Sequence, residues 1–300
     1  MIIESVLDAI GNTPLMKFNR ISEFNIYAKL EMLNPGGSIK DRVARHLVRE
    51  AQRSGVLDPD TIIVEASSGN TGIGLVLVGV QLGYRVVIVM PENMSEERKK
   101  IISALGGEMI LTPADKSLEG ALEKAYEIKN SEPKAWMPHQ FENPGNPEIH
   151  YRETAAEIWE QMEGHIHAFV AGVGSGGTLQ GVGQFLKEKD PRIMVVAVEP
   201  KNSAALLGHE PGLHQIQGIG DGFIPAVLDV EMIDDVITVT DDDAVYSARK
   251  LASEEGMLAG TSSGANVWAA IKLAEKLGDG CNIVTVLPDR AERYFSTSLI

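Results

Sequence analysis

Short apolar runs alternate with longer helical segments along most of this chain. The runs at residues 62–65, 85–90 and 168–173 lack the polar alternation of a half-exposed strand, so each is predicted to be a strand buried on both faces. Such strands, alternating with helices, predict a parallel sheet covered by helices. Further strands are predicted at residues 25–31, 108–111, 135–140, 193–198, 236–239 and 283–287. Helices are predicted at residues 39–49, 72–82, 96–105, 118–129, 153–161, 178–187, 243–255 and 264–277.

The segment Asn143-Pro-Gly-Asn-Pro147 interrupts this rhythm, because proline and glycine end regular structure. Strands and helices resume after it. The chain is therefore predicted to form two α/β units whose glycine-rich loops follow directly after strands. In open parallel sheets, that end of the strands is where ligands bind.

The composition is that of a globular protein with one large domain or two ordinary ones: 300 residues, 44% hydrophobic and 23% charged. A net charge of −15 argues against nucleic acid or an anionic membrane surface as the partner. The acidic N-terminal segment is unlike a signal peptide, and no apolar run reaches the ~18 residues of a membrane-spanning helix. Cys281 is the single cysteine, which excludes an internal disulfide. A soluble, cytoplasmic protein is predicted.

Lys40 follows the turn Asn34-Pro-Gly-Gly-Ser38 and falls in the first turn of a predicted helix, with Ser38 as the expected N-cap. A cation is disfavoured there by roughly 0.3–1 kcal/mol, because the helix dipole presents its positive end. A lysine at this position is explained if its amine takes part in a reaction, either as a Schiff-base lysine or as a base with a lowered pKa. The alternative is a solvated surface lysine beside Asp41 and Arg42.

The loop of residues 172–178, Gly-Val-Gly-Ser-Gly-Gly-Thr, follows a predicted strand and opens a helix. Its backbone N–H groups and its two hydroxyls suit a phosphate. The same loop fits the dinucleotide fingerprint, and Glu199 ends the next strand where a ribose-binding acid belongs. An NAD-dependent dehydrogenase is therefore an alternative, although it leaves Lys40 unexplained.

Three more loops carry polar groups: residues 67–72, 215–223 and 260–265, and Gln140 lies in a fourth. Hydroxyls and free N–H groups at a helix start suit a carboxylate. We expect all of these loops to lie on one sheet edge together with the lysine. They would then form a pocket for a phosphate, a carboxylate and a Schiff base. His139, His150 and His214 lack metal-ligand spacing, and no metal site is predicted.

Several ordered motifs carry a resemblance that runs nearly end to end. They are Asn34-Pro-Gly-Gly-Ser-Ile-Lys40-Asp-Arg42, Ser68-Gly-Asn-Thr-Gly72, Gly174-Ser-Gly-Gly-Thr178, Ser262-Ser-Gly-Ala265 and Glu292-Arg-Tyr294. With them the chain resembles the cysteine synthase family, also called O-acetylserine sulfhydrylases. These are pyridoxal-phosphate enzymes of the tryptophan synthase β fold type.

The resemblance implies two α/β domains with pyridoxal 5'-phosphate in the cleft between them. Residues 34–145 would form a smaller, mobile N-terminal domain, and residues 1–33 and 146–300 the larger cofactor-binding domain. It also implies a homodimer that acts on a small amino acid and on sulfide or a thiol. Serine acetyltransferase is a partner in the family, although nothing in this chain by itself points to it.

The resemblance also implies a role for each site residue. Lys40 would form the internal aldimine and then move the Cα proton, and Asn70 would hydrogen-bond the cofactor's ring oxygen. Ser262 would face the pyridine nitrogen. The phosphate would be bound by Gly174, Ser175, Gly176, Gly177 and Thr178. The substrate would be held by Ser67, Ser68, Gly69, Thr71, Gln140 and Gly220.

The implied reaction is β-replacement through an aminoacrylate: O-acetyl-L-serine and sulfide would give L-cysteine and acetate. Two departures from the family pattern matter here. Asp221 stands where the sulfhydrylases have alanine, and Arg290-Ala291 stands where Ser-Gly is common. Asp221 is either a solvent-facing turn residue or a base. As a base it would favour L-cysteine as donor, with release of hydrogen sulfide and formation of L-serine, cystathionine or lanthionine.

Overall fold

The computed structural model of this protein describes residues 2–67, 69–297 and 299, in which two mostly parallel sheets are covered by helices. The predicted fold class is confirmed. The strands are β1 (Leu15–Lys17), β2 (Ile26–Lys29), β3 (Ile62–Ala66), β4 (Arg85–Pro91), β5 (Glu108–Thr112), β6 (Ala135–Trp136), β7 (Ala168–Gly172), β8 (Met194–Pro200), β9 (Asp235–Val239) and β10 (Ile283–Val286). The helices are α1 (Lys40–Arg53), α2 (Asn70–Gln81), α3 (Glu96–Ala104), α4 (Ser117–Ser131), α5 (Gly145–Ile149), α6 (Ala156–Gln161), α7 (Gly177–Lys189), α8 (Asp241–Glu255) and α9 (Thr261–Leu277).

The larger sheet has six strands in the order β1-β2-β10-β7-β8-β9, and only β1 is antiparallel to its neighbour. Alternate residues of β8 show how both faces are buried. Val195 and Ala197 pack with α7, while Val196 and Val198 join the cluster that contains α9. Strands that are apolar on both sides need this double cover, as their sequence predicted.

The smaller sheet has four parallel strands in the order β5-β4-β3-β6. Ile63 packs with α1 and α2 on one face, and Val64 packs with α4 on the other. All four strands lie within residues 34–145 and the strands of the larger sheet lie outside them. The division into two domains, and the mobility of the smaller one, stay predictions.

Some predicted elements differ from the structure. The strand predicted at residues 135–140 stops at Trp136, because Pro138 has no N–H for a ladder and His139 has a positive φ of 54°. The helix predicted at residues 153–161 begins earlier, at Gly145, and runs through a π-helical stretch, His150–Ala155. Residues 15–17, where no strand was predicted, form edge strand β1.

Helix α1 begins at Lys40, and its N-cap position is occupied by Ile39 rather than by Ser38. The Ser38 hydroxyl still accepts the Lys40 N–H at 3.3 Å. None of the helices in the described part of the chain is both long and apolar enough to cross a membrane.

Candidate active site

A cavity of about 320 Å³ lies where the loops of both sheets meet. Its walls come from the start of α1 and from the loops that follow β3, β7, β8 and β10. The predicted loops therefore do converge, but they come from two sheets and not from one sheet edge. A cavity of this size is typical of a site for a small molecule.

Lys40 lines this cavity, and its Nζ donates to the Ser175 hydroxyl at 2.7 Å. Burial lowers the pKa of the amine from 10.5 to about 8, while the nearby Asp221 carboxylate acts in the opposite direction. A neutral amine is a nucleophile and a base, and the protein therefore keeps a much larger share of this amine in reactive form than water would. The alternative of a solvated surface lysine is wrong.

The glycine loop after β7 carries its hydroxyls into the cavity. Gly174, Ser175, Gly176 and Thr178 all line it, and Gly177 starts α7. Gly176 has a φ of 79°, which favours glycine, and a Cβ on Gly174 would collide with the carbonyl of residue 218. The chain thus presents hydroxyls and the N-terminus of a helix to one point, which suits an anion.

The loop after β3 also lines the cavity and is hydrogen-bonded to Gln140. The Ser67 hydroxyl accepts the N–H groups of Gly69 and Gly72 at 3.1 and 3.0 Å, which shapes the start of α2. Thr71 donates to the Gln140 side-chain oxygen at 2.6 Å. Ser67, Gly69, Thr71 and Gln140 line the cavity, whereas Ser68 lies outside the described residues.

Asn70 opens α2 and donates to Asp289 at 2.7 Å, while its own Oδ1 is buried without a donor among the described residues. Asp289 also accepts from the Tyr294 hydroxyl. Asn70 also lines the cavity. Ser262, in the first turn of α9, is buried and lines the same cavity.

Asp221 and Gly220 lie in the loop after β8 and line the cavity. Asp221 is exposed to solvent, yet neighbouring protein atoms remove part of the water around its carboxyl group, and this raises the pKa of that group. Lys40 and His214 lower that pKa in turn. Asp221 is therefore close enough to Lys40 for each charge to act on the other.

Sequence reasoning missed Arg98 and Asn146, which support the site, and considered His150 only when it excluded a metal site. Arg98 is buried, lines the cavity, and stacks on the Tyr294 ring at 4.8 Å. Fully buried Asn146 and His150 contact the hydroxyls of the glycine loop. Burial keeps the pKa of His150 well below its usual range. The Asn143–Pro147 motif marked the place of Asn146, but only as a break in the chain.

Glu199 stands apart from these residues. Its carboxylate accepts the Leu206 N–H, and Glu199 is absent from the walls of the cavity. The ribose contact on which the NAD-dependent dehydrogenase alternative depends is therefore not present. In the described part of the chain, no group of three or more His, Cys, Asp or Glu residues is placed to hold a metal ion.

Comparison with known proteins gives a consistent result. The family model described as "pyridoxal-phosphate dependent enzyme" matches residues 6–289. The cysteine synthase of Staphylococcus aureus is 48% identical over 99% of this chain and 97% of its own length.

Two solved structures share the fold. One is an O-acetylserine dependent cystathionine β-synthase from Helicobacter pylori, with a TM-score of 0.95, 43% identity, and coverage of 100% of this chain and 99% of that one. The other is a hydrogen sulfide-producing enzyme from Fusobacterium nucleatum, with a TM-score of 0.94, 43% identity, and coverage of 98% of both chains.

Proposed function

This chain belongs to the family of pyridoxal-phosphate dependent enzymes and is of the cysteine synthase type, and we propose that it makes L-cysteine and acetate from O-acetyl-L-serine and sulfide by β-replacement. One observation carries the proposal: a lysine amine, a loop suited to a carboxylate and a loop suited to a phosphate share one cavity. These are the groups needed for an amino acid joined to a phosphorylated aldehyde. The 48% identity to a cysteine synthase favours acetylserine as donor.

The residues present fit the cofactor. Lys40 would supply the amine for its aldehyde, and Asn70, which also lines the cavity, would hydrogen-bond the ring hydroxyl. The phosphate would lie against Gly174–Thr178, at the N-terminus of α7. Ser262 would face the ring nitrogen. When bound, the cofactor withdraws electrons from the α-carbon of the amino acid, which makes its proton acidic and allows a β-substituent to leave.

The side chains of this protein would handle the proton and the substrate. The Lys40 amine, with a pKa of about 8, is poised to accept and return the α-proton near neutral pH. The carboxylate of the amino acid would lie against the N-terminus of α2, held by Ser67, Ser68, Gly69, Thr71 and Gln140, with Gly220 opposite. Closure of residues 34–145 over the cavity would exclude water.

Phe141 and Phe223 fit this closure. Phe141 comes from the loop that carries Gln140, and Phe223 comes from the loop that carries Asp221. Their rings meet edge to face with centroids 5.1 Å apart. The proposal also includes a cytoplasmic homodimer and serine acetyltransferase as a partner, as the family resemblance implies.

A second candidate reaction is favoured by the place of Asp221. Its carboxylate shares the cavity with Lys40, where sulfide would have to enter. At ~5 Å and an effective dielectric of ~20, it would repel a hydrosulfide anion by roughly 3 kcal/mol, or about a hundredfold in rate. It could instead act as a base for water or a neutral thiol. L-Cysteine would then be the donor, giving hydrogen sulfide with L-serine, cystathionine or lanthionine.

The first experiment measures sulfide release from L-cysteine alone, with the amino-acid product identified. Negligible release supports the cysteine synthase. Rapid release, with serine or lanthionine accumulating, would overturn it in favour of the second candidate. Asp221→Asn should then lose sulfide release and gain up to about a hundredfold with acetylserine and sulfide. Glu210→Gln is the matched control, since Glu210 is exposed in the same loop, away from the cavity wall.

A further inference from the structure

Asn146 does not line the cavity, but its side chain is hydrogen-bonded to two of the loops that do. It is fully buried in the first turn of α5 and is absent from the cavity wall. Its Nδ2 donates to the backbone carbonyl of Gln140 at 2.8 Å and lies 3.0 Å from the Ser175 hydroxyl oxygen. One side-chain amide thus links the Gln140 loop to the glycine loop.

The orientation of this amide follows from its neighbours. The Gln140 carbonyl only accepts hydrogen bonds, so the NH₂ end of Asn146 has to face it. The same nitrogen faces Ser175, and the hydroxyl of Ser175 therefore accepts from Asn146. The other end, Oδ1, is buried with no donor among the described residues and lies where a Cβ on Gly177 would collide with it. An unpaired buried oxygen is unfavourable, so packing alone does not explain an asparagine here.

The direction of the remaining hydrogen bond follows by counting. A hydroxyl oxygen has two lone pairs and one proton. Asn146 donates to one lone pair of the Ser175 oxygen, and the Lys40 amine donates to the other as long as it is not joined to the cofactor. The proton of Ser175 is left to donate to a third group, and Ser175 lines the cavity. An acceptor there, such as a phosphate oxygen, would receive it.

We propose that Asn146 is a positioning residue that holds the Ser175 hydroxyl as a hydrogen-bond donor toward the phosphate of the cofactor. This rests on the proposed function, in which the glycine loop binds that phosphate. Asn146 touches neither the cofactor nor the substrate. Its contribution therefore depends on the phosphate and not on the aldehyde ring.

The experiment compares the binding of pyridoxal 5'-phosphate and of pyridoxal, which lacks the phosphate, to the apo-protein by absorbance titration. Asn146→Ala should weaken binding of the phosphorylated form by about tenfold, as expected for a misdirected hydrogen bond to a charged group. Pyridoxal should bind to the Asn146→Ala variant as tightly as it binds to the parent protein. Asn143→Ala is the matched control, because Asn143 lies three residues earlier and its side chain bonds, among the described residues, only to the Pro138 carbonyl and the Gly145 N–H.

The outcomes separate the two proposals. If the parent binds both compounds equally, the phosphate loop assignment fails. If the parent prefers the phosphorylated form and Asn146→Ala keeps that preference, the role of Asn146 is refuted. Should Asn146→Ala not fold, Ser175→Ala serves instead. It removes the hydroxyl that Asn146 is proposed to direct, so the preference for the phosphate should fall about as far, and an unchanged preference refutes the role.

Discussion

The buried amine of Lys40 gives a prediction about stability that needs no substrate. Its pKa is about 8 in the folded protein and 10.5 in an ordinary exposed lysine. Between these pH values the unfolded chain binds more protons than the folded one. The free energy of unfolding should therefore rise with pH across this range and reach its plateau above pH 10.5. Below pH 8 the folded protein carries the full cost of a buried charge.

The two pKa values give the size of the effect. A pKa lowered from 10.5 to about 8 corresponds to about 3 kcal/mol of unfolding free energy at neutral pH. Integration over pH gives a recovery of about 2 kcal/mol between pH 7 and pH 9.5 from this one group. These are upper values, since Lys40 keeps some contact with cavity solvent.

Replacing the amine by an apolar chain of similar length tests this reasoning. Lys40→Met should make the apo-protein more stable at pH 7 by up to about 3 kcal/mol, because it removes the desolvated charge. The assay is urea unfolding of apo-protein at pH 7, 8 and 9.5, with parent and variant compared at each pH. Titrating groups that do not interact with Lys40 cancel in the difference, so the gap should shrink by about 2 kcal/mol toward pH 9.5.

An exposed lysine provides the control. Lys201 lies on the surface after β8, and Lys201→Met should change neither the stability nor its pH dependence by much more than about 0.5 kcal/mol. A Lys40→Met variant with the same stability as the parent at every pH would refute the argument. It would mean that the Lys40 amine is not desolvated in the folded apo-protein.

Two further predictions concern residues near the start of α1. Glu31→Gln removes one carboxylate, at 2.8 Å, from the buried guanidinium of Arg42, which keeps its ion pair with Glu157 at 2.7 Å. The change should cost about 1.5–3 kcal/mol in urea unfolding, and a loss below about 0.5 kcal/mol would contradict this. Arg290 donates from Nε to the Met32 carbonyl at 2.8 Å, so Arg290→Ala should speed hydrogen exchange in residues 33–39 by roughly tenfold, as read by mass spectrometry. Unchanged exchange would show that this contact does not hold the loop.

Much of the fold was readable locally. The apolar runs became β3, β4, β7 and β10, because strands buried on both faces leave a strong sequence signal. The exceptions had local causes as well. Residues 137–140 look strand-like, but Pro138 and the positive φ of His139 stop the ladder. Edge strand β1 has only three residues, too few for its alternation to stand out.

The site divides in the same way. The sequence by itself determined that Lys40, the glycine loop and the loops with Asn70 and Ser262 belong to a pyridoxal-phosphate enzyme, because each motif is short and contiguous. Only the tertiary structure decided that the Lys40 amine donates to the Ser175 hydroxyl and that it interacts electrostatically with the Asp221 carboxylate.

It also decided that Asn146 reaches Ser175, across 29 residues of sequence. No periodicity or spacing encodes such pairs. They depend on the order in which strands assemble into two sheets and on which side chains the packed helices bury together, and those are long-range properties of the whole chain.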